Sequence, residues 1–173
     1  MKINNKEVLN INTYVTYGLG NKFDPNKLVT NLKDSGLGKP EHAWWGSPTD
    51  AEYGWKEWAE DNDFLPHGYK SYDEYFSPEN SITWHLEEGS KVLDLKEVTD
   101  LIEWIKNDYI TITASRYERK LINFQKILED GYVAVELHDA GIGHRFINEF
   151  EMMFNSWDCE SIVVLDPSKI IQD

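Results

Sequence analysis

Two carboxylates, Asp158 and Glu160, flank Cys159 and stand directly before the apolar run Ile162-Val163-Val164-Leu165, which Asp166-Pro167 ends. The run is β-branched enough to be a buried strand, so a rigid element carries the acids at its entrance. A carboxylate held this way suits an acid that must meet a substrate with little tolerance for error. Cys159 is a poor nucleophile by comparison. Its anionic neighbours raise the thiol pKa, and burial as a small hydrophobe is expected. His138 and His144 straddle a glycine turn beside Asp139, but no cysteine pair or Glu/His repeat accompanies them, and no metal centre is expected. Glu149 and Glu151 lie two apart on a predicted helix and point in different directions, which argues against a hydrolase built on that pair. The chain has no glycine-rich dinucleotide fingerprint, phosphate loop, nucleophile elbow or His-Glu-x-x-His motif.

These residues need a scaffold. Val8 to Tyr17 places Leu9, Ile11, Thr13 and Val15 on one alternating face and predicts a first strand, broken by Gly18-Leu19-Gly20. Asp24-Pro25 predicts a helix start, with Leu28, Val29 and Leu32 inside and Gly36 as its stop. His42 to Gly46 predicts a short strand, on which the adjacent Trp44 and Trp45 must face opposite ways. One of the two therefore has a reason to line a groove. A Thr49/Glu52 capping box predicts a helix from about Asp50 to Glu60, with Ala51, Trp55, Trp58 and Ala59 inward. Segment 61–80 reads as an ordered loop, and Ser81 to Leu86 and Lys91 to Leu95 as strands around a turn. Glu97 to Asn107 is a predicted helix, with Val98, Leu101, Ile102 and Ile105 at helical spacing. Segment 110–130 is divided between a strand at Ile110 to Thr113 and a helix at Tyr117 to Leu128. Tyr132 to Leu137 is a strand, Gly143 to Asn155 a helix carrying Phe146, Ile147, Phe150 and Met153, and Ser161 to Leu165 the final strand. The order lacks regular βαβ spacing. It predicts a single α+β domain over 1–173 with a mixed, mainly antiparallel sheet and flanking helices.

Composition narrows the function classes. The 173 residues are 40% hydrophobic and include seven tryptophans, which excludes a disordered tail. One cysteine and no apolar N-terminal or membrane-length run imply a reducing, cytoplasmic setting with no membrane partner. A net charge of −14 repels phosphate backbones, so direct nucleic-acid binding is not expected.

Three blocks match a known arrangement: Thr16-Tyr17-Gly18 closing the first strand; Trp44-Trp45-Gly46-Ser47-Pro48 leading to Ala51, Tyr53 and Trp55; and Glu160 entering Ile-Val-Val-Leu-Asp-Pro-Ser-Lys-Ile. The set resembles the ADP-ribosyltransferase fold, in particular its small bacterial and phage members. The resemblance implies NAD as co-substrate and an intracellular macromolecule, most simply a protein, as target. NAD cleavage passes through an oxocarbenium-like state that a carboxylate stabilises while gripping the ribose 2′-hydroxyl. By resemblance Glu160 is the catalytic acid and Asp158 the runner-up. Ser47 would contact the ribose, and Tyr53 or Trp45 would stack on nicotinamide. Tyr17 takes the place where the family usually has Arg or His, with Gly18 admitting the dinucleotide to the backbone. A phenol hydrogen-bonds ribose but brings no positive charge to the diphosphate.

A second class competes with this enzyme. Glu41, Asp50, Glu52, Glu57, Glu60, Asp61 and Asp63 crowd around the tryptophans, as charged rims surround aromatic anchors on binding surfaces. That pattern fits a non-catalytic inhibitor, phage-type, which imitates nucleic acid and occupies a basic partner surface.

Overall fold

Thr13–Tyr17 (β1) supplies the strand around which the sheet is built. The computed structural model describes residues 12–18, 31–36, 38–96, 98–113, 119–138 and 157–173. Trp44–Pro48 (β4) and Ser81–Leu86 (β5) pair with β1 on either side, both antiparallel. Ser161–Val164 (β10) lies against β4, and Tyr132–Leu137 (β9) against β10, again antiparallel. Lys91–Leu95 (β6) joins β9 in parallel, and Ile170–Gln172 (β11) closes the other edge on β5. The seven strands run β11-β5-β1-β4-β10-β9-β6. Asn31–Asp34 (β2) with Pro40–Glu41 (β3), and Ile110–Thr113 (β7) with Arg119–Ile122 (β8), form two separate ladders. Helices Trp55–Asp61 (α1), Tyr72–Tyr75 (α2), Val98–Lys106 (α3) and Phe124–Glu129 (α4) complete an α+β fold with a mixed, mainly antiparallel sheet.

The sheet cannot be flat. β5 and β6 stand five strand intervals apart, roughly 24 Å in a planar sheet, yet the turn between Leu86 and Lys91 spans at most about 18 Å. Curling the sheet brings its two flanks over one another. Tyr14, Trp84 and Ile82 from one flank accordingly share a core with Val133, Ala134 and Ile162 from the other. Across the same concavity the Tyr14 hydroxyl on β1 donates to Glu136 Oε2 on β9 at 3.0 Å. The opposite face carries a second core of Val135, Leu137, Val163, Trp104, Phe124, Ile127 and Trp157.

Several local expectations change. Leu32 lies in β2 rather than in a helix, because Asp34 organises this stretch as a turn: its Oδ1 accepts from Gly36 N and Gly38 N, and Oδ2 from Ile122 N. The expected helix from Asp50 begins only at Trp55. Thr49 donates its hydroxyl to Thr13 O, and the helix start is capped instead by Glu57, whose Oε2 accepts from Gly54 N. The loop at 61–80 contains α2 and a 3-10 turn at Pro78–Asn80. α3 buries Trp104 and leaves Ile102 and Ile105 about half exposed, since the indole covers more apolar surface than either isoleucine. The helix expected from Tyr117 is replaced by β8 and the shorter α4, and β11 is a strand beyond the expected last one. Residues 8–11, 19–30, 114–118 and 139–156 lie outside the described residues, together with the expectations placed on Leu28, Val29, Asp139, His144, Glu149, Glu151 and the 143–155 helix.

Candidate functional site

β-strand alternation puts Trp45 and Ser47 of β4 on one face, and the registered pair Val15–Ser47 sets Val15 and Tyr17 beside them. Trp44 turns the other way into the core, edge-on to Trp84 at 6.4 Å between centroids. The segment Trp157-Asp158-Cys159, leading into β10, closes the third side. Together these residues line a cleft of about 270 Å³ with Thr16, Gly46, Trp55, Tyr75, Ser161 and Lys39.

Aromatic surface dominates the walls. Trp45 and Trp157 meet edge to face at 4.8 Å, and Trp157 Nε1 donates to Gly38 O at 2.7 Å, tying the β2–β3 hairpin to the cleft. Trp55 Nε1 donates to the Tyr75 hydroxyl at 2.9 Å. Tyr17 packs edge-on to Phe76 at 4.8 Å. Burial first, and then Glu57, push its phenol pKa up, so it remains a protonated donor. The hairpin delivers Lys39, whose Nζ lies 5.1 Å from the Trp45 ring centroid. Burial lowers the Lys39 pKa, and the nearby charge of Asp158 opposes that shift.

The sequence-derived site residues divide into two groups. Tyr17, Trp45, Ser47 and Asp158 meet at the cleft. The Ser47 hydroxyl also serves the fold, accepting from Trp55 N at 2.9 Å at the start of α1. Glu160, Tyr53 and Gly18 are engaged elsewhere. Glu160 is buried, and its Oε1 accepts from Glu52 N at 3.1 Å and Tyr53 N at 3.2 Å, while its own N–H donates to Tyr53 O. It clamps the 52–53 loop. The Tyr53 phenol faces Asp61 and Asn62 at the C-terminal end of α1. Gly18 has φ +83°, and a Cβ there would come within 2.9 Å of the Tyr75 ring, so the glycine is what lets that ring lie against the backbone. Lys39, Trp157 and Tyr75 are the lining residues that sequence reasoning missed. Trp157 had a signal, an aromatic beside the acid; Lys39 had none, because only the hairpin fold brings it in.

Cys159 is buried, as expected of a small hydrophobe, and its thiol pKa is pushed up to about 11, by burial first and by Asp158, with Ser161 and Ser47 hydrogen bonds pulling the other way. The thiolate is the reactive species. Alkylation of the folded protein at pH 8 is therefore expected to run about two-hundredfold slower than that of a free thiol, and to climb about tenfold per pH unit below pH 11. Iodoacetamide labelling followed by mass spectrometry checks this; a rate equal to that of the denatured chain contradicts it.

Among the described residues no helix is long and apolar enough to cross a membrane. Compared with known proteins, the chain matches no family model, no curated protein and no solved structure.

Proposed function

We propose that the aromatic cleft takes the nicotinamide-ribose end of NAD, and that the protein is an ADP-ribosyltransferase-like enzyme acting on an intracellular macromolecule. One observation carries the reading: Tyr17, Trp45, Ser47 and Asp158, drawn from opposite ends of the chain, line a single cleft. Its volume, near the lower bound of roughly 300 Å³ for small-molecule sites, suits the reacting half of a dinucleotide. The partly exposed Trp45 indole stacks on nicotinamide, and the Tyr17 hydroxyl binds ribose. Lys39 brings to the diphosphate the positive charge that Tyr17 lacks.

Asp158 replaces Glu160 as the acid in this reading, because Glu160 spends its carboxylate on the 52–53 backbone. In the reaction the bond from ribose C1′ to the nicotinamide nitrogen breaks and its electron pair leaves with nicotinamide. Asp158 stabilises the cationic C1′ and accepts from the 2′-hydroxyl. A nucleophile of the target then bonds to C1′ and releases its proton. Incubation with NAD labelled in its adenylate half is expected to release nicotinamide and to leave label on a macromolecular acceptor. Absence of both products, with candidate acceptors present, sinks the reading.

A second reading rests on the surface beside the cleft. Trp55 stacks on Trp58 at 4.9 Å, Phe64 is 42% exposed against them, and Asp50, Glu52, Glu57, Glu60, Asp61 and Asp63 are all exposed around this cluster. Such a patch fits a basic protein partner. Recovery of a basic partner whose binding collapses between low and high salt, without NAD turnover, favours it over the enzyme.

A further inference from the structure

On the sheet face opposite the cleft, the parallel pairing of β6 with β9 sets Asp94 directly beside Glu136. His138, two residues beyond Glu136, projects to the same side where β9 ends. His138 Nε2 lies 3.2 Å from Asp94 Oδ1 and 3.8 Å from Glu136 Oε2. Among the described residues, only these three His, Cys, Asp or Glu side chains bring one potential ligand atom each within 4.8 Å of one another.

The existing bonds leave Glu136 poorly compensated. Its side chain is only 2% exposed, and its one hydrogen-bond donor among the described residues is the neutral Tyr14 hydroxyl. His138 Nε2 carries at most one proton, which Asp94 takes at hydrogen-bond distance, while 3.8 Å is too long for a bond to Glu136. Lys96 reaches only the outer oxygen of Asp94, Oδ2, at 3.3 Å. A carboxylate fixed on an interior strand with a single neutral donor, and with a protonated His138 at 3.8 Å as its nearest cation, leaves room for a more closely held positive charge.

We propose that Asp94 Oδ1, Glu136 Oε2 and His138 Nε2 form a binding site for a divalent transition-metal ion of the zinc class. An imidazole with two carboxylates suits such an ion better than calcium or magnesium, which take oxygen ligands. Ligands about 2.1 Å from a tetrahedral ion lie roughly 3.4 Å apart, close to the two measured edges. The third edge closes by rotation of Asp94, the most exposed of the three, and the fourth position faces solvent on the side of Asp94 and His138. Tyr14 then acts as an outer partner that orients the Glu136 carboxylate. Strand register brings Asp94 and Glu136 to the histidine. This site is independent of the NAD reading.

The test is equilibrium dialysis of the full chain against Zn²⁺, with Co²⁺ absorption as a report on coordination. One ion per chain is expected, with a rise in thermal midpoint. Asp94→Asn and His138→Gln are expected to weaken binding by about tenfold or more and to abolish the tetrahedral Co²⁺ spectrum. Asp94 is exposed enough that its variant folds, which circular dichroism verifies, so failure of a buried variant to fold does not decide the matter. No binding tighter than about 1 mM, or equal binding by parent and both variants, overturns the site.

Discussion

Asp158→Asn is expected to lower NAD turnover by roughly a hundredfold to a thousandfold while leaving the fold intact. The substitution keeps size and shape and removes only the charge. Asp158 lies partly exposed on the cleft, near Lys39, in the segment that leads into β10. In the reading developed above it faces the carbon where positive charge develops, and a fixed anion there stabilises the transition state more than the ground state. Glu160→Gln gives the contrasting result. Both backbone donors converge on Oε1, an acceptor that glutamine retains, so the 52–53 loop stays clamped and turnover is expected to fall less than tenfold. Steady-state nicotinamide release from the two purified variants separates the two acids. A large loss in Glu160→Gln with little change in Asp158→Asn would return the catalytic role to Glu160.

Trp84→Ala is expected to cost about 3–5 kcal/mol, a large share of the stability of a domain this size. The indole is fully buried at the centre of the concave face, 4.9 Å from the Tyr14 ring, and a Cβ on Gly46 would come within 2.7 Å of it. The missing side chain in Gly46 is therefore what lets β4 lie over Trp84. Its Nε1 donates to Thr16 Oγ1 at 2.9 Å, and that hydroxyl donates onward to Trp45 O at 2.6 Å, joining β1, β4 and β5. Trp84→Phe keeps most of the packing and loses the N–H, so its cost is smaller. Because β1 and β4 carry Tyr17, Trp45 and Ser47, Trp84→Ala also loosens the cleft. Urea unfolding measures both variants, and a loss under about 1 kcal/mol for Trp84→Ala contradicts its place in the core.

Most strands of the large sheet were legible because local pattern marks them, whereas β2, β8 and β11 were not. The β-branched run at 162–164 and the strand at 132–137 lie where the sequence puts them, and adjacent Trp44 and Trp45 face opposite ways as a strand requires. What stayed hidden depends on distant partners. Ser81–Leu86 and Lys91–Leu95 read as strands around one turn, yet they pair at opposite flanks of a curled sheet, a choice made by β1 and β9 rather than by the turn. Leu32 follows the three-way hydrogen bonding of Asp34, which no helical periodicity announces. At the site, Tyr17, Trp45, Ser47 and Asp158 were legible as residue types in order. The division of labour between Asp158 and Glu160 was not, because it turns on two backbone N–H groups from a loop far away in sequence.

The central claim, that NAD occupies the cleft, is tested most directly by isothermal titration of NAD into the parent protein and into Trp45→Ala. Trp45 forms a wall of the cleft and also carries the Lys39 ammonium over its ring, so its loss removes a stacking surface and frees the cation. One NAD per parent chain is expected, with affinity at least about tenfold weaker in the variant. No heat of binding in the parent, or equal affinity in both proteins, contradicts the claim.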